Sequence, residues 1–294
     1  MMEAASFSAA NFAGHTVGDA LQSAVIAITA AGCETPRLDA EVLLAHILGV
    51  PRERLFLDRD LRVRGQAVPL FQQAVRRRAV EREPVAYIVG HRGFRHLDLA
   101  VDARALVPRP ETELLVELAG ALPPNSSVLD LGTGSGAVAL ALKQERPDLL
   151  ISASDISDAA LELARENARR LGLPLSFIQA DLLEGVPDEF DAILSNPPYV
   201  ADSQRARLAP EILRHEPAGA LFAGPDGLDV IRRLFAQLAT RERVRFVAVE
   251  VGQGQAGAVA GLARGARFPL ARAERDLAGI ERVVLAERPL EDAR

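Results

Sequence analysis

Along the first part of the chain, apolar positions recur at intervals of three and four. "VGDALQSAVIAITAAG" (17–32) predicts a helix closing on Gly32, a residue suited to a C-cap. "PRLDAEVLLAHILGV" (36–50) repeats the arrangement, with Leu38, Val42, Leu43, Ala45 and Leu48 on one face and Gly49 near the end. "AVPLFQQAVRRRAVERE" (67–83) predicts a third helix, whose Arg76-Arg77-Arg78 run reads as a solvated face. The period then changes. "VAYIVGHRGFRHLDLAVD" (85–102) alternates loosely around Gly90 and Gly93 and predicts a β-hairpin. "ALVPRPETELLVELAG" follows as an extended entry and a helix from about Glu111.

Beyond residue 126, short apolar runs alternate with amphipathic segments. Strands are predicted near 127–131, 149–154, 175–179, 190–195, 244–251, 267–274 and 280–286, and helices near 135–145, 157–171, 227–240 and 255–264. Such alternation implies an α/β fold with a mostly parallel sheet covered on both faces. Only "DLAG" separates the last two strands, so that pair is expected to be antiparallel. Three regions result: a helical domain (1–83), a β-hairpin connector (84–107) and an α/β domain (108–294). Residues 1–14 are small, polar and weakly patterned, and read as a frayed lead-in.

Composition narrows the class. A chain of 294 residues with 49% hydrophobic and 25% charged residues reads as soluble and globular. The net charge of −6 argues against a generic basic surface for nucleic acid. The one cysteine, Cys33, excludes an intramolecular disulfide and disfavours a cysteine-based zinc site; a packing role at a helix end suits it. His15, His46, His91, His96 and His215 fall in no metal-ligand spacing, so no metal is expected. No apolar run reaches the roughly 18 residues needed to span a bilayer, and a cytoplasmic location is expected.

Candidate chemistry sits at strand ends. "VLDLGTGSGAVALAL" reads as strand, glycine turn and helix, in which Gly132, Gly134 and Gly136 permit positive φ and the helix N-terminus offers free N–H groups. Asp155 ends the next strand, "LLISASD", where a carboxylate accepts both hydroxyls of an adenosine ribose. A glycine turn alone is often a tight strand–helix junction; its pairing with Asp155 favours a nucleoside. The spacing is G-x-G-x-G rather than G-x-G-x-x-G, and Asp130 adds negative charge beside the loop. Both features suit a ligand carrying an ammonium and a sulfonium, S-adenosylmethionine, better than a pyrophosphate. Asp181, in "SFIQADLL", reads equally as a partner of the adenine amino group or as a helix or turn cap.

In "DAILSNPPYV" (191–200) a buried-strand pattern stops at Asn196-Pro197-Pro198-Tyr199. Neither proline donates an N–H, and each restricts the residue before it, so the corner is stiff. An amide nitrogen is a feeble nucleophile; a transferase acting on one needs acceptors for both its hydrogens. The Asn196 side-chain oxygen and the Pro197 carbonyl are suitable, and Tyr199 is suited to stacking on a flat substrate group. Read alone, "NPPY" is also a plain strand-terminating turn.

"DLGTGSGAVAL", "SDIS" and "SNPPYV" resemble S-adenosylmethionine-dependent methyltransferases of exocyclic or amide nitrogens. "RLDAEVLLAHILG", "REPVAYIVGHRGF", "LVPRPETE", "HEPAGALFAGPDGLDVIRRL", "EVGQGQ" and "RDLAGIERVV" extend the resemblance from about residue 36 to 284, to the peptide-chain release factor glutamine N5-methyltransferases. The resemblance implies a seven-stranded Rossmann-like methyltransferase sheet with an antiparallel last strand. It implies methyl transfer from S-adenosylmethionine, leaving S-adenosylhomocysteine, to the glutamine of the Gly-Gly-Gln motif of release factors. Residues implied for the cofactor are Gly132, Thr133, Gly134, Ser135, Gly136, Asp155, Asp181, Leu182 and Asn196, with Leu182 standing where some members carry an aromatic. Asn196, Pro197 and Tyr199 are the implied catalytic residues, and Asn196 through Tyr199, Pro198 included, the substrate contacts. Arg109 is expected near substrate or cofactor, and Glu111 and Glu113 as caps of the following helix. The helical domain is expected to grip the release factor, with no membrane and no direct nucleic-acid partner. "HEPAGALFAGPDG" (215–227) reads as a loop over the substrate or an ordinary connection. A nucleic-acid methyltransferase acting on adenine N6 or guanine N2 ranks second. A ribosomal-protein glutamine methyltransferase is a near variant, and a non-catalytic cofactor-binding protein disagrees with the intact motifs.

Overall fold

The computed structural model describes residues 15–289, so the segment read above as a frayed lead-in lies outside the described residues. The chain divides into two compact units: one holds the described residues up to Gly90 together with Ala209–His215, the other His91–Leu208 and the chain from Glu216 onward.

The first unit is helical. Helix α1 (Val17–Ala30) starts with a reciprocal cap, Thr16 Oγ1 accepting from Asp19 N and Asp19 Oδ2 accepting from Thr16 N, each at 3.1 Å. Helix α2 (Pro36–Leu48) begins on proline and ends at Gly49 with φ +64°, the left-handed cap its sequence predicts. Helix α3 (Arg52–Leu57) is too short to show a period and was not anticipated. Helix α4 (Ala67–Ala79) buries Phe71 and Val75 against Ile28, Leu43, Leu44 and Leu55. Helix α5 (Val85–Val89) corrects the start of the expected hairpin, whose strands begin only at His91: Pro84 O accepts from Tyr87 N and Ile88 N, and Gly90 terminates the turn at φ +77°. Five residues are too few to separate a helical period from alternation.

Arg78 corrects the reading of a solvated arginine face. It is 5% exposed, donates to Asp39 at 2.6 Å and to Glu211 at 3.0 Å, and shares Glu211 with Arg82 at 2.6 Å. Glu211 lies on helix α9 (Pro210–His215), far along the chain.

The second unit opens with the hairpin β1 (His91–Phe94) and β2 (Leu97–Ala100). After a 3₁₀ turn at Pro110–Thr112 comes helix α6 (Glu113–Ala119). Then β3 (Ser127–Leu131), α7 (Ala137–Glu145), β4 (Leu150–Asp155), α8 (Asp158–Leu171), β5 (Ser176–Gln179) and β6 (Ala192–Ser195) alternate. Past α9, α10 (Asp229–Leu238), β7 (Phe246–Glu250), α11 (Ala256–Gly265), β8 (Leu270–Arg275) and β9 (Glu281–Glu287) complete the unit.

The sheet order is β5-β4-β3-β6-β7-β9-β8. Strands β3 to β7 pair in parallel, while β9 inserts between β7 and β8 and runs antiparallel to both, as the short "DLAG" link requires. Every residue of β3, β6 and β7 is buried, which accounts for the apolar runs within them. Ile193, Val247, Leu234, Phe235 and Phe268 form much of the core. Strand order reverses between β3 and β6, opening a crevice at their C-terminal ends. No helix among the described residues is long and apolar enough to cross a membrane.

Candidate active site

A cavity of about 330 Å³ lies at that reversal, within the second unit. One wall is the glycine turn, where Gly132 and Gly134 adopt φ +75° and +55°, conformations that side chains disfavour. Ser154 O accepts from Gly132 N and Thr133 N at 2.8 and 2.9 Å, tying the turn to β4. Asp155 enters from the end of β4; its Oδ2 accepts from Gly134 N and its Oδ1 from Ser157 N, both at 2.9 Å. Burial raises its pKa, opposed by those backbone donors. Asp130 lines the cavity floor at 2% exposure, accepting from Thr133 Oγ1 at 2.5 Å and Ala139 N at 3.1 Å. Burial pushes its carboxyl up to about 6.

The opposite wall is the proline corner. Asn196, Pro197 and Pro198 line the cavity, and Ser195 Oγ fastens the corner to Leu131 O at 2.8 Å. Asn196 Nδ2 donates to Thr112 Oγ1 at 3.0 Å, and Thr112 Oγ1 donates to Glu250 Oε2 at 2.6 Å. Tyr199 OH donates to Glu250 Oε1 at 3.1 Å. Glu250 ends β7 at 1% exposure, and burial lifts its carboxyl to about 6. The Tyr199 phenol is pushed up by burial first and by the neighbouring Glu250 charge second. Arg109 forms part of the rim, its Nη2 donating to Glu216 at 2.6 and 2.8 Å.

The methyltransferase small domain family matches residues 110–225, and the PrmC N-terminal domain family matches residues 19–90. A release factor glutamine methyltransferase from Rhodospirillum rubrum is 43% identical over 263 residues, 88% of this chain and 81% of its own length. One from Cereibacter sphaeroides is 42% identical over 275 residues, 92% of this chain and 98% of its own. This chain belongs to the release factor glutamine methyltransferase family. Among solved structures, a methyltransferase from Pyrococcus furiosus superposes with a TM-score of 0.51 at 16% identity, covering 66% of this chain and 90% of that one, a likeness of fold.

For a release factor glutamine methyltransferase, most residues singled out from sequence converge on one crevice: Gly132, Thr133, Gly134, Ser135, Asp155, Asp181, Leu182, Asn196, Pro197 and Pro198 all line it. Asp181 accepts from Arg233 Nη2 at 2.7 Å, and Leu182 holds φ +54°, a strained conformation for a branched side chain. Two singled-out residues stand back. Gly136 is not part of the cavity wall; a Cβ there would lie 3.0 Å from Leu140 Cδ1 and 3.3 Å from Ala164 Cβ, so this glycine serves the packing of α7 on α8. Tyr199 is likewise off the wall, its hydroxyl on Glu250 and its backbone O accepting from Gln255 Nε2 at 3.0 Å. Glu113 does not cap with its side chain: its Oε1 accepts from Arg95 N at 2.9 Å, holding the hairpin turn. Pro217, Gly219 and Ala220 bring part of the 215–227 segment into the wall.

Sequence reasoning passed over Thr112 and Glu250. Thr112 hides between two glutamates in a single 3₁₀ turn, and its partner is 138 residues away. Glu250 had a visible signal: an acid ending the wholly apolar run "FVAV", at a strand C-terminus as Asp155 is in β4.

Proposed function

We propose that this crevice transfers a methyl group from S-adenosylmethionine to the side-chain amide nitrogen of the glutamine in the Gly-Gly-Gln motif of a release factor. The donor supplies an electrophilic methyl on a sulfonium. The residues present fit that molecule: a glycine turn without side chains, a carboxylate at the end of β4 and a second buried carboxylate beneath the turn. Asp155 has acceptor positions left beyond Gly134 N and Ser157 N, enough for two ribose hydroxyls. Asp181 and Leu182 are assigned to the adenine end, and Gly132 to Ser135 to the turn around the nucleoside.

The Asn196 side-chain oxygen and the Pro197 carbonyl each accept one hydrogen of the glutamine NH2, which aims its lone pair at the methyl. As the N–C bond forms and the bond from the methyl to sulfur breaks, leaving the neutral thioether, one amide proton becomes acidic and passes to solvent, so no strong base is needed. Rigidity is the catalytic asset here: two consecutive prolines and the Ser195 bond keep the acceptors fixed. Tyr199 acts from behind the wall through Glu250. The helical segment within 1–83 is assigned to holding the release factor, 84–107 to connecting, and 108–294 to methyl transfer.

The observation carrying this reading is the Asn196–Thr112 bond at 3.0 Å in a wall shared with the glycine turn, which leaves the Asn196 oxygen, among the described residues, as the free end of its amide. Incubation of an unmodified release factor with the protein and S-adenosylmethionine should add one methyl, located by mass spectrometry to the glutamine. Asn196→Ala should lower turnover by roughly a hundredfold or more while keeping cofactor affinity. Methyl transfer to RNA or DNA with none to the release factor would overturn the assignment.

A further inference from the structure

We infer that Glu250 and Thr112 are positioning residues: together they dictate which end of the Asn196 amide faces the crevice, with Glu250 ionised in the accepting arrangement. The inference rests on the methyl-transfer reading for its catalytic consequence, and on geometry alone for the orientation.

A threonine hydroxyl has a single hydrogen. At 2.6 Å from Glu250 Oε2 that hydrogen is committed to the carboxylate, so toward Asn196 the Thr112 oxygen can only accept. The group 3.0 Å from it must therefore be the Asn196 NH2, and Oδ1 is left for the substrate. The second carboxylate oxygen accepts from Tyr199 OH at 3.1 Å, which holds the carboxylate plane. Direction runs one way along the chain: Asn196 to Thr112 to Glu250, met from the other side by Tyr199.

Protonating Glu250 removes this directionality. A carboxyl proton bound to Thr112 Oγ1 releases the threonine hydrogen toward Asn196. The amide then turns its oxygen to Thr112 and its NH2 to the crevice, where it opposes the N–H groups of an incoming glutamine amide. The groups around Glu250 are Tyr199 beyond β6, Arg282 on β9, and Thr112 and Glu111 ahead of α6, with Arg109 near the phenol. Burial and Glu111 disfavour the Glu250 charge, while Thr112, Tyr199 and Arg282 favour it; the carboxyl sits at about 6. Turnover at saturating cofactor should therefore fall as pH drops through about 6. Glu250 is no part of the cavity wall, so its effect on substrate passes through Thr112 and Asn196.

Two readouts test this. First, asparagine-selective labelling of the full chain, which has Asn11, Asn125, Asn167 and Asn196, resolves the Asn196 side-chain amide by NMR. Its resonances should titrate with a midpoint near 6, and Glu250→Gln should abolish that titration. Second, with unmodified release factor and S-adenosylmethionine, Thr112→Val and Glu250→Leu, which remove the relay oxygen and its acceptor, should each lower kcat by about tenfold or more, whereas Thr112→Ser stays within about threefold. Cofactor affinity by calorimetry should be unchanged in all three. An Asn196 signal indifferent to pH and to Glu250→Gln overturns the inference. So does normal kcat in both variants, or a loss of kcat that merely tracks a loss of cofactor affinity. Wild-type protein that shows the NMR titration yet transfers no methyl would leave the orientation standing and overturn the methyl-transfer reading instead.

Discussion

Asp155→Ala is the sharpest test of how the crevice holds its nucleoside. In the folded chain the Asp155 carboxylate does two jobs: it anchors the glycine turn through Gly134 N at 2.9 Å and the start of α8 through Ser157 N at 2.9 Å. An ionised carboxylate has about four acceptor positions, so two remain for a pair of ribose hydroxyls. Hydrogen bonds to a charged group contribute about 1.5–3 kcal/mol each, giving about 3–6 kcal/mol for the pair. Loss of both should weaken affinity by roughly 10² to 10⁴. Asp155→Asn keeps one acceptor oxygen but turns an NH2 toward a backbone N–H, and should fall between wild type and Ala. Titration calorimetry with S-adenosylmethionine and with S-adenosylhomocysteine is the assay. The two ligands share the ribose, so both should weaken in parallel, unlike in Asn196→Ala, where neither should. An Asp155→Ala dissociation constant within about threefold of wild type would refute the ribose assignment and the reasoning from lone pairs.

Gly136→Ala should destabilise the second unit by about 2 kcal/mol without direct damage to the crevice wall: the position holds φ +85°, and the new Cβ meets Leu140 and Ala164. Unchanged thermal unfolding would contradict that packing role. Asp130→Asn probes a buried charge. The Asp130 carboxyl stands near 6 in the fold against about 3.9 unfolded, so between those values the folded state binds more protons and stability falls as pH rises. Relative to the Asn variant, wild type should lose about 2 kcal/mol between pH 4 and 7, and parallel melting temperatures would sink the idea.

The sheet and its covering helices were legible because the central strands β3, β6 and β7 bury both faces and helices such as α8 and α10 bury one, so the core demand is written as a local pattern. The glycine turn, Asp155 and the "NPPY" corner were legible for a related reason: their backbone conformations admit few residue types. The short helix α5 was misread because five residues span little more than one turn, too few for a period. Arg78 was misread because a charge run looks solvated until a distant carboxylate, here Glu211, is brought against it.

What the sequence by itself determined was the alternation of main strands and helices beyond residue 126, the antiparallel close of the sheet and the stiff Asn-Pro-Pro corner, all fixed by local periods and by the backbone restrictions of glycine and proline. Tertiary structure alone decided that Gly136 packs helices instead of lining the crevice and that Tyr199 turns from the wall to Glu250. It alone joined Thr112 to Glu250 and Asn196. A hydrogen-bonded chain has a direction only once its members, far apart in sequence, are held within 3 Å of one another, and no local pattern encodes that distance.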